Sequence, residues 1–230
     1  MKKIVIYLML IVLIFSCFSC NKPVDNEGLN NNENEYNLPV EKEEFENLDV
    51  AYSHTTHMTY RTEQELYDDS DYVFIGMPTD TFTECETIYY DAWGNHVKPE
   101  DNVRIADYST LRNVKIIEMI KGELDSDTIK VADMAAVVTK EDNSRKIVGL
   151  PSGTFIQKKN VKYIYYVKKA NDKQVDYYFA SMDDGLLNID GLHTSVNEGI
   201  DEYFKMPEMQ KKYADKFEKY DRSSEVLESK

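Results

Sequence analysis

The 230-residue sequence predicts a mainly β protein, a small antiparallel barrel with a short helix ahead of it and an amphipathic helix behind. Three observations carry that expectation. Runs of β-branched and aromatic residues recur between Asp71 and Ser181. One of them, Val161 to Lys168, alternates with period two, and the apolar period lengthens to three and four residues after Met206.

The chain opens with Lys2, Lys3 and an apolar run from Ile4 to Phe15. That run is shorter than the roughly 20 residues that span a bilayer, so it reads as an export signal. Ser16-Cys17 and Ser19-Cys20 follow, and this start resembles the bacterial lipoprotein signal, in which a cysteine takes a diacylglyceryl group and the chain is cut just before it. Ile14, three residues upstream, favours Cys17 as the lipidated residue. Cys20 is the alternative, because the polar chain begins only at Asn21. The resemblance implies a mature protein held by its N-terminal lipid at the outer face of a bacterial cytoplasmic membrane, where two acyl chains anchor stably and one would not.

Residues 21–50, poor in apolar side chains and closing on Glu41-Lys42-Glu43-Glu44, read as an acidic flexible tether. The barrel domain is expected at 51–193 and a helical segment at 194–230, after a signal and anchor at 1–20. Within the barrel domain, Thr62 to Tyr67 has a helix start, with Thr62 as N-cap and Glu65 in the capping-box place. Asp71 to Gly76 is apolar on both faces, as a central strand is. Thr81 to Tyr90 reads as a strand that includes Cys85, and Asp91-Ala92-Trp93-Gly94-Asn95 as a turn. Strands are expected at Leu111 to Ile120, Thr128 to Ala132, Val161 to Lys168 and Val175 to Ser181. In the first of these, Val114 and Ile116 give way to Ile117 and Met119, a slip of parity that a β-bulge absorbs. Val161 to Lys168 is expected to be half solvated. Met206, Met209, Tyr213, Phe217 and Tyr220 then mark the amphipathic helix, which packs on the barrel, with a shorter helix at Asn197 to Lys205 ahead of it.

The pieces Glu65 to Gly76, Val114 to Gly122 with its Lys121-Gly122 ending, Asp127 to Val131, and Val161 to Val167 come in an order similar to the netrin module and the metalloproteinase-inhibitor barrel. That resemblance implies an OB-like barrel of about five strands. It implies no functional residue here, because the framework cysteines of the animal members are absent. With Cys85 alone beyond the leader, no disulfide forms inside the domain. Its neighbours Glu84 and Glu86 also work against a reactive thiolate.

Composition excludes some functions. Against 27 basic side chains stand 42 acidic ones, a net charge of −15, which repels nucleic acid and anionic surfaces. His54 and His57 have an i, i+3 spacing that could face one metal ion, but no third ligand lies near in sequence, and Thr55 and Thr56 disfavour the helical turn. Asp183-Asp184-Gly185 and Asn188-Ile189-Asp190-Gly191 lack the register of a calcium loop and read as turns. Ser152 has no nucleophile-elbow glycines around it, and no glycine-rich phosphate loop is present. Tyrosine is abundant, and Tyr163, Tyr165, Tyr166, Tyr177 and Tyr178 fall on two strands where they could form a stacking platform. The expectation is therefore a non-enzymatic binding or interaction module without a cofactor, which takes a protein, peptide or carbohydrate. The alternative is a metal-dependent envelope hydrolase built on His54, His57 and a carboxylate such as Asp184.

Overall fold

A computed structural model describes residues 36–53, 60–140, 142–151, 155–171, 175–181, 185–192 and 206–228. Cys17, Cys20, His54, His57, Ser152, Asp183, Asp184 and the helix expected at Asn197 to Lys205 lie outside the described residues. The chain divides into two units, Met1–Leu38 and Pro39–Lys230, and the fold is that of the second. Its strands are β1 (Asp49–Ser53), β2 (Tyr72–Pro78), β3 (Thr87–Tyr90), β4 (His96–Val97), β5 (Asp107–Lys121), β6 (Thr128–Asp133), β7 (Ala136–Thr139), β8 (Arg145–Pro151), β9 (Tyr163–Lys169), β10 (Tyr177–Phe179) and β11 (Leu186–Asn188). Its α-helices are α1 (Glu63–Asp69), α2 (Met206–Lys212), α3 (Ala214–Tyr220) and α4 (Ser223–Glu228).

Five strands close into a barrel in the order β2, β5, β6, β10, β9 and back to β2. Every contact in the ring is antiparallel except β6 with β10, which is parallel. Counted along the chain, the ring runs first, second, third, fifth, fourth, the connectivity of an OB-like barrel. The slip of parity in β5 is a bulge. Opposite β2, β5 skips Ile120 between Lys121 and Met119, and Ile117 between Glu118 and Ile116. Two bulges bend this 15-residue strand so that one half pairs β2 and the other pairs β3 and β6.

The expectation of a half-solvated β9 is corrected. Tyr163 through Val167 are all buried, because Tyr163, Tyr165 and Val167 fill the barrel interior while Ile164 and Tyr166 lie under the helices. Alternation here separates two cores rather than core from water.

The Lys121-Gly122 ending has a physical account. The Lys121 ammonium donates to the carbonyls of Tyr67 (2.6 Å), Asp68 (3.1 Å) and Ser70 (2.6 Å), the orphan acceptors at the end of α1. Gly122 has φ +80°, and a Cβ there would meet the Tyr72 ring at 2.7 Å. At the other end of α1, Thr62 accepts from Glu65 N–H as expected, but Glu65 accepts from Arg61 N–H rather than closing the box on Thr62.

The tether reading is corrected for residues 39–50. Phe45 is 1% exposed in a one-turn 3-10 helix, and β1 pairs in parallel with β8 in a second sheet of order β1, β8, β7. Of the apolar residues of this acidic stretch, Phe45, Leu48 and Val50 join Phe82, Ile147 and Leu150 in one cluster, and Val40 packs on the barrel core. The Glu43 carboxylate accepts from Phe82 N–H (2.9 Å) and Lys159 N–H (2.6 Å), Glu46 pairs with Lys158 and Glu44 with Arg145. Acids that read as solvation bind the backbone, at Glu43, or basic side chains, at Glu44 and Glu46.

The single C-terminal helix expected is broken at Tyr213 into α2 and α3, but its apolar stripe packs on the barrel as expected. Met209 and Tyr213 are buried against Leu66, Val73 and Ile164, with Phe217 and Tyr220 alongside. Glu63, 4% exposed, locks them in place. Its carboxylate accepts from Tyr166 (2.8 Å), Tyr213 (3.1 Å) and both ways from Lys212 (2.9 Å). Among the described residues no helix is long and apolar enough to cross a membrane.

Candidate interaction site: the β3–β4 arm

The connection from β2 to β5 carries a hairpin, β3 and β4, that extends the barrel sheet beyond β5. Its root is fixed by a buried polar cluster. Arg112, fully buried on β5, donates through Nη2 to the Asp80 carbonyl (2.9 Å) and holds Nε 3.4 Å from the Asp80 carboxylate, without the alignment of a hydrogen bond. Its guanidinium carbon stands 5.6 Å from the centre of the Phe82 ring. Asn113 donates its side-chain amide to the same carboxylate (2.8 Å). Behind Arg112, Asp133 accepts from Gln157, which accepts from the Tyr165 hydroxyl (2.6 Å). Burial pushes the Asp133 carboxyl up to about 6, against the pull of Arg112 and the Gln157 bonds. The guanidinium thus stands between the Asp80 and Asp133 carboxylates, and the cluster positions Asp80 and Phe82, from which the arm departs.

Cys85 is not a strand residue. It follows the short 3-10 helix Phe82–Glu84, because Thr81 and Glu84 bond to one another (2.6 Å) and coil the chain before β3 begins. Its thiol donates to the Thr81 carbonyl, and burial pushes it up to about 12, so it is not a nucleophile at neutral pH.

Beyond the root, Ile88 is buried with Leu111, Ala132 and Val175 and ties β3 to the barrel. Tyr89 meets Tyr108 edge to face at 6.0 Å, and Tyr90 meets His96 at 5.0 Å. The turn is set by Asp91. One carboxylate oxygen accepts from the N–H groups of Trp93 and Asn95 (2.8 Å each), and the other accepts from the Asn95 amide (2.9 Å). Gly94 supplies the left-handed conformation the turn needs, at φ +77°. The outcome is that Trp93, the only tryptophan of the chain, is 88% exposed at the tip. Two concavities flank the arm, one of about 480 Å³ lined by Thr87, Tyr89, His96 and Glu100, the other of about 510 Å³ lined by Tyr90, Asp91, Ala106 and Asp107.

The chain matches no protein-family model, no curated protein and no solved structure.

The five tyrosines expected to make a platform do not share a surface. Tyr163, Tyr165 and Tyr166 are fully buried, bonded to Lys158 N–H, Gln157 and Glu63 respectively, and burial raises all three phenols. Tyr177 is half-buried edge-on to Tyr72 at 5.4 Å, which leaves Tyr178 at 44% exposure. In the Asn188-Ile189-Asp190-Gly191 turn, Asp190 is buried and accepts from Lys162 N–H, Leu192 N–H and the Asn188 amide. Among the described residues no group of three or more His, Cys, Asp or Glu could hold a metal ion. The exposed aromatic that sequence reasoning passed over is Trp93. Its signal was present, since a tryptophan between Asp91 and Gly94 in a five-residue turn has no strand to bury it.

Proposed function

We propose that this chain is a non-enzymatic, lipid-anchored extracytoplasmic binding or interaction module that engages its ligand through the β3–β4 arm. The observation that carries this reading is the 88% exposure of Trp93 on an arm whose root is pinned by a buried arginine. A large ring left in water is costly, since burying such a side chain stabilises by about 1.5–3 kcal/mol, and a rigid base presents it without added ordering cost on binding. The lipobox-like Ser-Cys pairs support the anchor, with Cys17 or Cys20 as the acylated residue and the outer face of a bacterial cytoplasmic membrane as the place.

The test has two arms. Mass measurement of the N-terminal peptide is expected to find a diacylglyceryl-modified cysteine at position 17, or at 20. An unmodified N-terminus cut elsewhere refutes the anchor. A photo-crosslinking residue placed at Trp93 in living cells is expected to trap a defined adduct that the same probe at Glu123 does not. Equal adducts at both positions, or none at 93, refute the arm.

A further inference from the structure

We infer that the β3–β4 arm takes a basic polypeptide segment of a partner protein, with a Lys or Arg side chain seated over the Trp93 indole; this deepens the reading of the arm as a binding element and rests on it. Negative charge remains along the arm while hydrogen-bonding capacity at its turn is spent. Along residues 84–107 stand Glu84, Glu86, Asp91, Glu100, Asp101 and Asp107 against Lys98 and Arg104. The carboxylate that shapes the turn under Trp93 is already engaged, because Asp91 accepts from two backbone N–H groups and from the Asn95 amide. A sugar needs free planar donors and acceptors beside its aromatic platform, and the turn consumes those of Asp91. A cation needs only the ring face and the negative field. The Asn95 side chain and backbone, followed by Trp93 N–H, hold the Asp91 carboxyl below its ordinary range, so its charge is present at every physiological pH. Cation–π attraction is strongest at tryptophan.

The flanking concavities carry the same sign. Glu86, Glu100 and Asp101 outnumber Lys98 in one, and Asp91 and Asp107 line the other. A basic strand or loop lying along the arm would thus meet carboxylates in both concavities, with the net charge of −15 steering its approach.

The experiment uses the full chain in a neutral detergent at 0.15 M salt, titrated with a decalysine peptide and, separately, with chitotetraose. Because Trp93 is the only tryptophan, its emission reports this site alone. The expected result is a saturable shift of emission with decalysine and none with chitotetraose. By calorimetry, affinity for decalysine falls about tenfold in Trp93→Ala and in the double reversal Glu100→Lys, Asp101→Lys, but not in Glu123→Lys on the exposed turn after β5. Absence of saturable decalysine binding, an equal loss in Glu123→Lys, or saturable binding of chitotetraose overturns the proposal. Failure here with a positive photo-adduct at position 93 leaves the arm as the binding element and removes only the basic partner; failure of both removes the arm.

Discussion

Asp133 should make the stability of this barrel fall between pH 4 and pH 6, and Asp133→Asn should abolish that fall. The carboxyl is 5% exposed beside Arg112, and burial lifts it from 3.8 to about 6. A raised folded-state value means that the native protein keeps a proton that the unfolded chain has already lost over this window. The contribution to stability is thus fully present below about pH 4, is lost as pH rises, and is constant above about pH 6. About two pH units at 1.36 kcal/mol each give about 3 kcal/mol. Asparagine keeps an acceptor for Gln157 and cannot titrate, so the stability of the variant relative to wild type should rise by about 3 kcal/mol from pH 4 to pH 7. The assay is urea unfolding at four pH values followed by circular dichroism, since the sole tryptophan is already in water in the native state. Carboxyls with lowered values, Asp69 and Glu225 among them, titrate alike in both proteins and cancel. Two stability curves that run parallel from pH 4 to pH 7 would refute the reasoning, and a variant that loses stability relative to wild type as pH rises would refute it more strongly.

Other expectations follow from the contacts that hold the elements together. Lys121→Met keeps the stem but loses three bonds to the end of α1, and should cost about 2 kcal/mol in urea unfolding. Gly122→Ala places a methyl against the Tyr72 ring at positive φ, and a loss of at least about 1 kcal/mol is expected; no loss would show that the turn relaxes freely. Glu63→Ala should cost about 3 kcal/mol and open the C-terminal helices to trypsin while the barrel stays resistant, with Glu63→Gln intermediate. Melting temperature should be indifferent to zinc, manganese and chelator; a metal-dependent rise lost in His57→Ala would favour the hydrolase instead.

The barrel was legible where a single physical cause dominated. Asp71 to Gly76, apolar on both faces, is the central strand β2, and the slip at Ile116–Ile117 is a bulge of β5. Legibility failed where one pattern had two causes. The alternation in Val161 to Lys168 fits a strand with water on one side, and fits equally a strand between an interior core and a layer of helices. Residues 39–50 look solvated by composition, yet Phe45 and Glu43 find partners more than 35 residues away, which no local window contains. The same blindness applied to the site. Tyrosine abundance pointed to β9 and β10, where three of the five rings are core, while Trp93, the most exposed ring among the described residues, sits in a turn. Arg112 on β5 gave no sign of its role, because its partner Asp80 belongs to the root of the arm.

The parallel contact between β6 and β10 has a consequence for the newly made chain. It consists of two residue pairs, Tyr177 with Val131 and Tyr178 with Ala132, reinforced by Asp176 accepting from Lys130 N–H. Until Tyr177 to Phe179 arrives, β6 and β9 are both open edges, and an open edge is a template for another molecule's strand. The shortest strand of the ring is therefore its latch against self-association, and the narrow seam it closes is where the barrel will gape first under stress.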